Sequence, residues 1–296
     1  QHRDLTFGYV SAGRVEMIHE LRGIRWVELS SIADVDPAMR AVAVDLTHDI
    51  SDEWERSLAD LVLRGIPVYD FKELVESLSG KVEIDQPSEN RFGGLAPLAP
   101  YLKARLLFDR CTAAIALVFL SPLMAVVAGL IRLDSSGPAI FTQERIGYRG
   151  VPFKIRKFRT MIVGSDRDIS RDAAITTSQD RRVTRLGRWL RKSRIDELPQ
   201  IWNIMRGEMG WIGPRPEARV LSEWYEQEIP FYRYRHVVPP GVTGWAQVRQ
   251  GHIADIDGVR QKLAYDFYYI RHFSFWLDFT IALLTLRTMI TGYGHR

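Results

Sequence analysis

The chain has 296 residues, 46% of them hydrophobic, and 40 lysines and arginines against 36 aspartates and glutamates, a formal charge of +4. That admits one large or two modest domains with a real core, and the mild basic excess suits anionic lipid, nucleic acid or phosphorylated substrates. A single cysteine, Cys111, excludes an intrachain disulfide and any cysteine-based metal cluster and fits a reducing compartment.

The first region, residues 1–85, alternates short apolar runs with amphipathic stretches. "RAVAVDL" (40–46) and "GIPVYDF" (65–71) predict buried strands. Between them, "EWERSLADLVLRG" (53–65) carries Trp54, Leu58, Leu61 and Val62 at helical spacing and stops on Gly65; "YDFKELVESLSG" (69–80) repeats the plan and stops on Gly80. This order predicts a small α/β unit with parallel strands. It lacks a G-x-G-x-x-G turn, so a structural or regulatory role is expected rather than nucleotide binding. The chain opens on Gln1 with no signal-peptide pattern, which reads as a trimmed N-terminus.

Residues 86–100, "QPSENRFGGLAPLAP", read as a linker. From Cys111 to Ile131 about 21 residues carry no charge, long enough to span a bilayer at about 1.5 Å per residue. Ser121-Pro122 at the centre predict a kink, because proline removes one rung of the helical ladder. Lys103, Arg105 and Arg110 precede the segment and Arg132 follows it, so charge selects no crossing direction. Two readings stay open: a kinked span, or a helix that enters, turns at Ser-Pro and leaves on the same side.

The remainder, 133–296, is basic and aromatic. "FKIRKFRTM" (153–161) alternates apolar residues with Lys154, Arg156, Lys157 and Arg159, either a solvated basic face or a phosphate-facing one. "RRVTRLGRWLRKSR" (181–194) predicts a helix with Val183, Leu186 and Leu190 inward; "DELPQIWNIMRG" predicts the next, with Leu198, Ile201, Trp202 and Met205 on its stripe. Ser193, three residues before Asp196, and Pro199 mark the second helix's first turn, where free amides favour Asp196 and Glu197. The two acids are either ordinary helix-start residues or a reactive pair. Near arginines and a helix N-terminus, Asp196 is expected to have a low pKa and to be competent as a nucleophile towards phosphorus. Glu197 suits Mg²⁺, which takes one or two carboxylates plus substrate phosphates.

In "WIGPRPE" (211–217) two prolines pre-orient Arg215, as bidentate phosphate recognition requires. "PPGVTGWAQV" (239–248) packs turn residues around Trp245 and Gln247. In 273–293, Trp276, Phe279, Leu283, Leu286 and Ile290 form one face of an interfacial or a core helix. No G-x-S-x-G, H-E-x-x-H or Walker loop occurs, and the seven histidines lack metal-ligand spacing.

Five segments, in order, resemble the bacterial sugar transferase family, the monotopic phosphoglycosyl transferases: "KARLLFDRCTAAIALVFLSPLM", "LDSSGPAIFTQERIGYRGVPFKIRKFRTM", "RVTRLGRWLRKSRIDELPQIWNIMRGEMGWIGPRP", "VVPPGVTGWAQV" and "YDFYYIRHFSFWLDFTI". The likeness covers about two thirds of the chain, 101–296. It implies an α/β protein: a small Rossmann-like N-terminal domain, then a mixed α/β, helix-rich catalytic domain with a re-entrant membrane helix hairpin over about 103–132, hinged at Ser121-Pro122. It implies attachment to the cytoplasmic face of the bacterial inner membrane. Asp196 would attack the sugar-bearing phosphate of a UDP-hexose, release UMP and form a phosphosugar-aspartyl intermediate. Undecaprenyl phosphate would then take the phosphosugar, starting exopolysaccharide, capsule or O-antigen synthesis. Glu197 would hold the cofactor Mg²⁺. Arg191 and Arg215 match positions associated with phosphate contact; Lys157, Arg159 and Gln247 complete the expected substrate-binding set. The implied partners are the UDP-sugar, the lipid acceptor and membrane lipid, without nucleic acid, and a homodimer is admitted. "RQGHIADIDGV" with "KLAYDFYYI" looks most like members using UDP-galactose, with UDP-glucose next. Larger members carry an upstream transmembrane bundle, so this chain is either trimmed or a shortened relative. The competing classes are a non-catalytic membrane-bound scaffold or sensor and an aspartyl-phosphate hydrolase.

Overall fold

The computed structural model describes residues 5–10, 24–36, 39–45, 50–82, 99–162, 182–250 and 256–291. The linker reading for 86–98 and residues 251–255 of the sugar-diagnostic tract lie outside these. The chain divides into two compact units, 1–82 and 83–296.

In the first unit β1 (Leu5–Val10), β2 (Ile24–Leu29), β3 (Val42–Val44) and β4 (Val68–Asp70) form a parallel sheet in the order β2-β1-β3-β4. Successive side chains in a strand point to opposite faces. Accordingly Val42 and Val44 join Leu58 and Leu61 of α1 (Asp52–Leu63), while Ala43 joins Leu74 and Val75 of α2 (Phe71–Ser79) on the other face. Trp54, Leu58 and Leu61 point inward as the spacing predicts, whereas Val62 is exposed. Gly65 and Gly80, the expected stops, hold φ of 85° and 69°, a left-handed backbone that glycine adopts without strain.

The second unit opens with α3 (Ala99–Asp134), followed by the antiparallel pair β5 (Ile140–Ile146) and β6 (Pro152–Phe158). Then come α4 (Arg185–Lys192), a 3-10 turn (Ile195–Glu197), α5 (Gln200–Met205), β7 (Gly210–Ile212) and α6 (Arg219–Glu228). Strand β8 (Gly241–Thr243) pairs parallel with β7, and α7 (Trp245–Arg249), α8 (Ile256–Arg271) and α9 (Phe275–Thr291) close the unit.

Helix α3 is the one described helix long and apolar enough to cross a membrane. It continues through Pro122 as one helix. The reason is local: Pro122 has no N–H for the Val118 carbonyl, and the Ser121 hydroxyl donates to that oxygen at 2.9 Å instead. Both halves dock on the same unit. Ala113, Ala116 and Leu117 pack with Phe153, Ile155, Ile201 and Ile204; Val127 and Ile131 pack with Phe158 and Leu190. The outer side stays apolar and open, with Leu107, Phe108, Val118, Phe119, Val126 and Leu133 exposed.

Asp278, which interrupts the apolar C-terminal run, ties α9 to α3. Its carboxylate accepts from Tyr101 and Tyr269, each at 2.8 Å, and lies 3.1 Å from Arg105 Nε. Ile281 is fully buried, while Trp276, Phe279, Leu283 and Leu286 are exposed, so α9 carries an open apolar face.

Candidate active site

The dyad hangs between two helices. Thr184 caps α4, its hydroxyl accepting from the Gly187 amide at 2.9 Å. Gly187 has no side chain because a Cβ there would overlap the Thr160 backbone. That close approach lets Arg191 Nε donate to Thr160 Oγ1 at 2.8 Å. The helix ends earlier than the arginine pattern suggests: Ser193 is its C-cap, and its hydroxyl donates back to Trp189 and Leu190. Ser193 therefore does not cap a helix beginning at Asp196. Arg194 turns the chain with φ 59°, a left-handed conformation uncommon for a side chain of this size. Asp196 and Glu197 then occupy the 3-10 turn, and α5 starts only at Gln200, with Pro199 as its N-cap. On α5, Ile201 and Ile204 are buried, while Trp202, assigned to the inner stripe by spacing, is 40% exposed. Two residues of turn precede the helix and rotate its stripe.

Asp196 and Glu197 are each 8% exposed. Glu197 Oε1 receives Lys157 Nζ at 3.1 Å and Arg215 Nη2 at 2.7 Å, and Oε2 lies 3.6 Å from Arg194 Nη1. Burial works against its charge, but Arg215, Lys157 and Arg194 together hold this carboxylate well below the usual range. Asp196 moves the other way. Burial raises its pKa, the Glu197 charge raises it further, and Lys157, Arg191 and Arg215 recover only part. The expectation of a low Asp196 pKa is overturned, because the first effect is desolvation, which sequence spacing does not reveal. Burial, then Arg215, lowers Lys157 to about 8 despite the two acids. Adjacent carboxylates pushed apart in this way can take unlike roles: a fixed anion, and a more basic and more nucleophilic one.

Strand β6 delivers Lys157, so that residue of the basic run points at the dyad and not at solvent. Arg159 does not join it. Its Nη2 donates to the Ser135 carbonyl at 2.6 Å and to the Ser135 hydroxyl at 2.9 Å, closing the C-terminal end of α3. The structure thus places Arg159 apart from Lys157: the chain leaves β6 at Phe158, and alternation no longer governs the next side chain. Gln247 is near: its Nε2 and Arg215 Nη1 both reach the Val242 carbonyl, at 3.3 and 3.4 Å. Two loops meet there backbone to backbone, since a Cβ on Gly241 would overlap the Gly213 amide. Ser121 and Pro122 lie in α3 and act on its geometry.

The described residues contain no cluster of three or more histidine, cysteine or acidic side chains able to enclose a metal. The dyad offers at most two carboxylates, a donor set that fits Mg²⁺ when substrate phosphates supply the remaining ligands. Sequence reasoning missed Arg194, Arg145, Glu217, Arg235 and Asp266. Arg194 was legible as a neighbour of the dyad; the others bond across long sequence separations and leave no local pattern.

Residues 101–292 match the model of a family described as bacterial sugar transferase. The chain is 47% identical over 257 residues to the UDP-N-acetylgalactosamine-undecaprenyl-phosphate N-acetylgalactosaminephosphotransferase of Aeromonas hydrophila, covering 86% of this chain and 60% of that protein. It is 42% identical over 197 residues to the UDP-glucose:undecaprenyl-phosphate glucose-1-phosphate transferase of Xanthomonas campestris pv. campestris, covering 66% of this chain and 40% of that one. A protein of the same printed name from Caulobacter vibrioides is 42% identical over 201 residues, covering 67% and 74%. The chain thus spans less than two thirds of the first two relatives' length.

Proposed function

The chain belongs to the bacterial sugar transferase family, and from that premise we propose that it transfers a sugar-1-phosphate from a UDP-sugar to undecaprenyl phosphate through a covalent aspartyl intermediate. The observation that carries this reading is the buried pair itself: Asp196 beside a Glu197 whose carboxylate is gripped by Arg215 at 2.7 Å and Lys157 at 3.1 Å, with Arg194 at 3.6 Å. An Asp196 oxygen attacks the sugar-bearing phosphorus, a P–O bond to aspartate forms, the bridging P–O bond breaks, and UMP leaves with the electron pair. An acceptor phosphate oxygen then attacks the same phosphorus and expels the carboxylate. Arg191 and Arg215 stabilise charge on the transferring group. Glu197 would hold Mg²⁺, which neutralises the diphosphate when bound.

The donor reading shifts from the sequence expectation. UDP-galactose rested on "RQGHIADIDGV" with "KLAYDFYYI", and residues 251–255 of the first are undescribed. The Aeromonas relative, similar over both units, is named for an N-acetylgalactosamine donor. UDP-N-acetylgalactosamine is therefore the first donor to test, with UDP-galactose and UDP-glucose beside it. The reading places α3 in the cytoplasmic leaflet as a bent, re-entrant helix, supported by its exposed apolar side and by the docking of both halves on one unit. The first unit is read as a Rossmann-like accessory domain on its strand order and two-sided helix cover.

With donor and no acceptor, stoichiometric UMP release is expected, together with a phosphosugar mass adduct on the peptide containing Asp196. Asp196→Asn should abolish both. Near wild-type turnover by that variant would eliminate the nucleophile assignment, and sustained free sugar phosphate would point to a hydrolase.

A further inference from the structure

The turn that carries Arg215 is held by its carbonyls. Pro214 and Pro216 flank Arg215 and supply no N–H. Three successive carbonyls are instead gripped from outside. The Gly241 amide donates to Pro214 at 3.1 Å, Arg235 Nη2 donates to Arg215 at 2.9 Å, and Arg145 Nη1 donates to Pro216. Arg235 is 2% exposed, and its other fork nitrogen donates to the Tyr232 hydroxyl at 2.6 Å. Its charge is met by Asp266 on α8, 2.8 Å away and 1% exposed. One turn earlier on the same helix face, Lys262 pairs with Glu217, the residue after Pro216. The "KLAYDFYYI" segment, whose pattern suggested sugar choice, therefore places one cation and one anion against the base of the arginine turn.

We propose that Arg235, charge-balanced by Asp266, is a positioning residue that aims the Arg215 guanidinium at Glu197 and the transferring phosphate. Arg235 and Asp266 act through the Arg215 backbone and not on the substrate. A free turn would let that guanidinium sample several directions, and a displacement of about 1 Å at a catalytic group is enough for a ~100-fold loss. The inference rests on the proposed transfer reaction for its kinetic readout and on the geometry alone for its spectroscopic one.

The test is a double-mutant cycle on the rate of UMP release in the acceptor-free half-reaction, using the full chain in detergent. Arg235→Lys keeps the charge and loses the planar fork. Arg235→Met with Asp266→Leu removes both charges, so neither is left buried alone. Each is expected to slow the covalent step roughly 10- to 100-fold with a smaller change in donor KM. In an Arg215→Ala background the same changes should cost less than about threefold, since the aim of an absent guanidinium is irrelevant. Equal losses in both backgrounds, or no loss in the wild-type background, would overturn the proposal while leaving the transferase reading intact. If Arg235→Met with Asp266→Leu does not fold, the cycle stands on Arg235→Lys. A wild-type chain that releases no UMP from any donor would sink the transferase reading alone. The proposal would then be decided by the Arg215 Nε signal in nitrogen NMR, which must shift in Arg235→Lys; an unchanged signal overturns it.

Discussion

Arg194 concentrates the tension of the site in one residue. Its left-handed backbone costs a non-glycine residue about 1–2 kcal/mol, yet the turn it makes puts both acids inside and keeps its own guanidinium near Glu197. Arg194→Gly should leave thermal stability within about 1 kcal/mol of wild type, as relief of strain offsets unfolded-state entropy, while adduct formation slows severalfold. Calorimetry and UMP release read the two effects separately. Glu217 gives a pH prediction. Burial opposes its charge, but Lys262, Arg235 and Arg145 lower its folded pKa far below the unfolded value. Its contribution is therefore fully present above the usual carboxylate range and is lost as pH falls below it. Between pH 6 and 3 the wild-type melting temperature should drop more steeply than that of Glu217→Gln, and parallel curves would contradict this. At this scale residue identity was legible and environment was not. Asp196 and Glu197 stand out in the sequence, but the sign of the Asp196 shift depends on burial created by distant segments.

Helix α3 shows how one hydroxyl preserves a continuous element. Removing it in Ser121→Ala leaves the Val118 carbonyl without its donor, and in the proposed membrane placement, where lipid offers no substitute, that costs about 1–3 kcal/mol. Thermal unfolding in detergent measures it. For topology, single cysteines at Lys103 and Arg132, in a chain with the exposed Cys111 replaced, should both label from the cytoplasmic side. Labelling at 132 from the opposite side would require a crossing helix. Periodicity found the elements with one inward stripe, including α1, α2 and β6. It failed where chain direction changes within a few residues: the end of α4, the 3-10 turn and the exit from β6 at Arg159. Those breaks are set by caps and by contacts to other elements.

At the level of the molecule, the first unit's α/β alternation was readable, because apolar runs and glycine stops recur along it. The second unit was readable mainly through family resemblance, since its site draws on segments far apart in sequence: β6, the dyad turn and the Arg215 turn. The charge pairs that brace it span up to 173 residues, between Arg105 and Asp278. Docking α3 along both halves has a kinetic consequence in the proposed reaction. A reactive centre fastened to a helix lying in one leaflet meets its lipid acceptor by lateral diffusion in two dimensions, while the nucleotide sugar arrives from three. Acceptor supply is then governed by its mole fraction in the bilayer. Diluting the vesicles at fixed lipid composition should leave the second half-reaction unchanged, whereas diluting the acceptor within the bilayer should slow it.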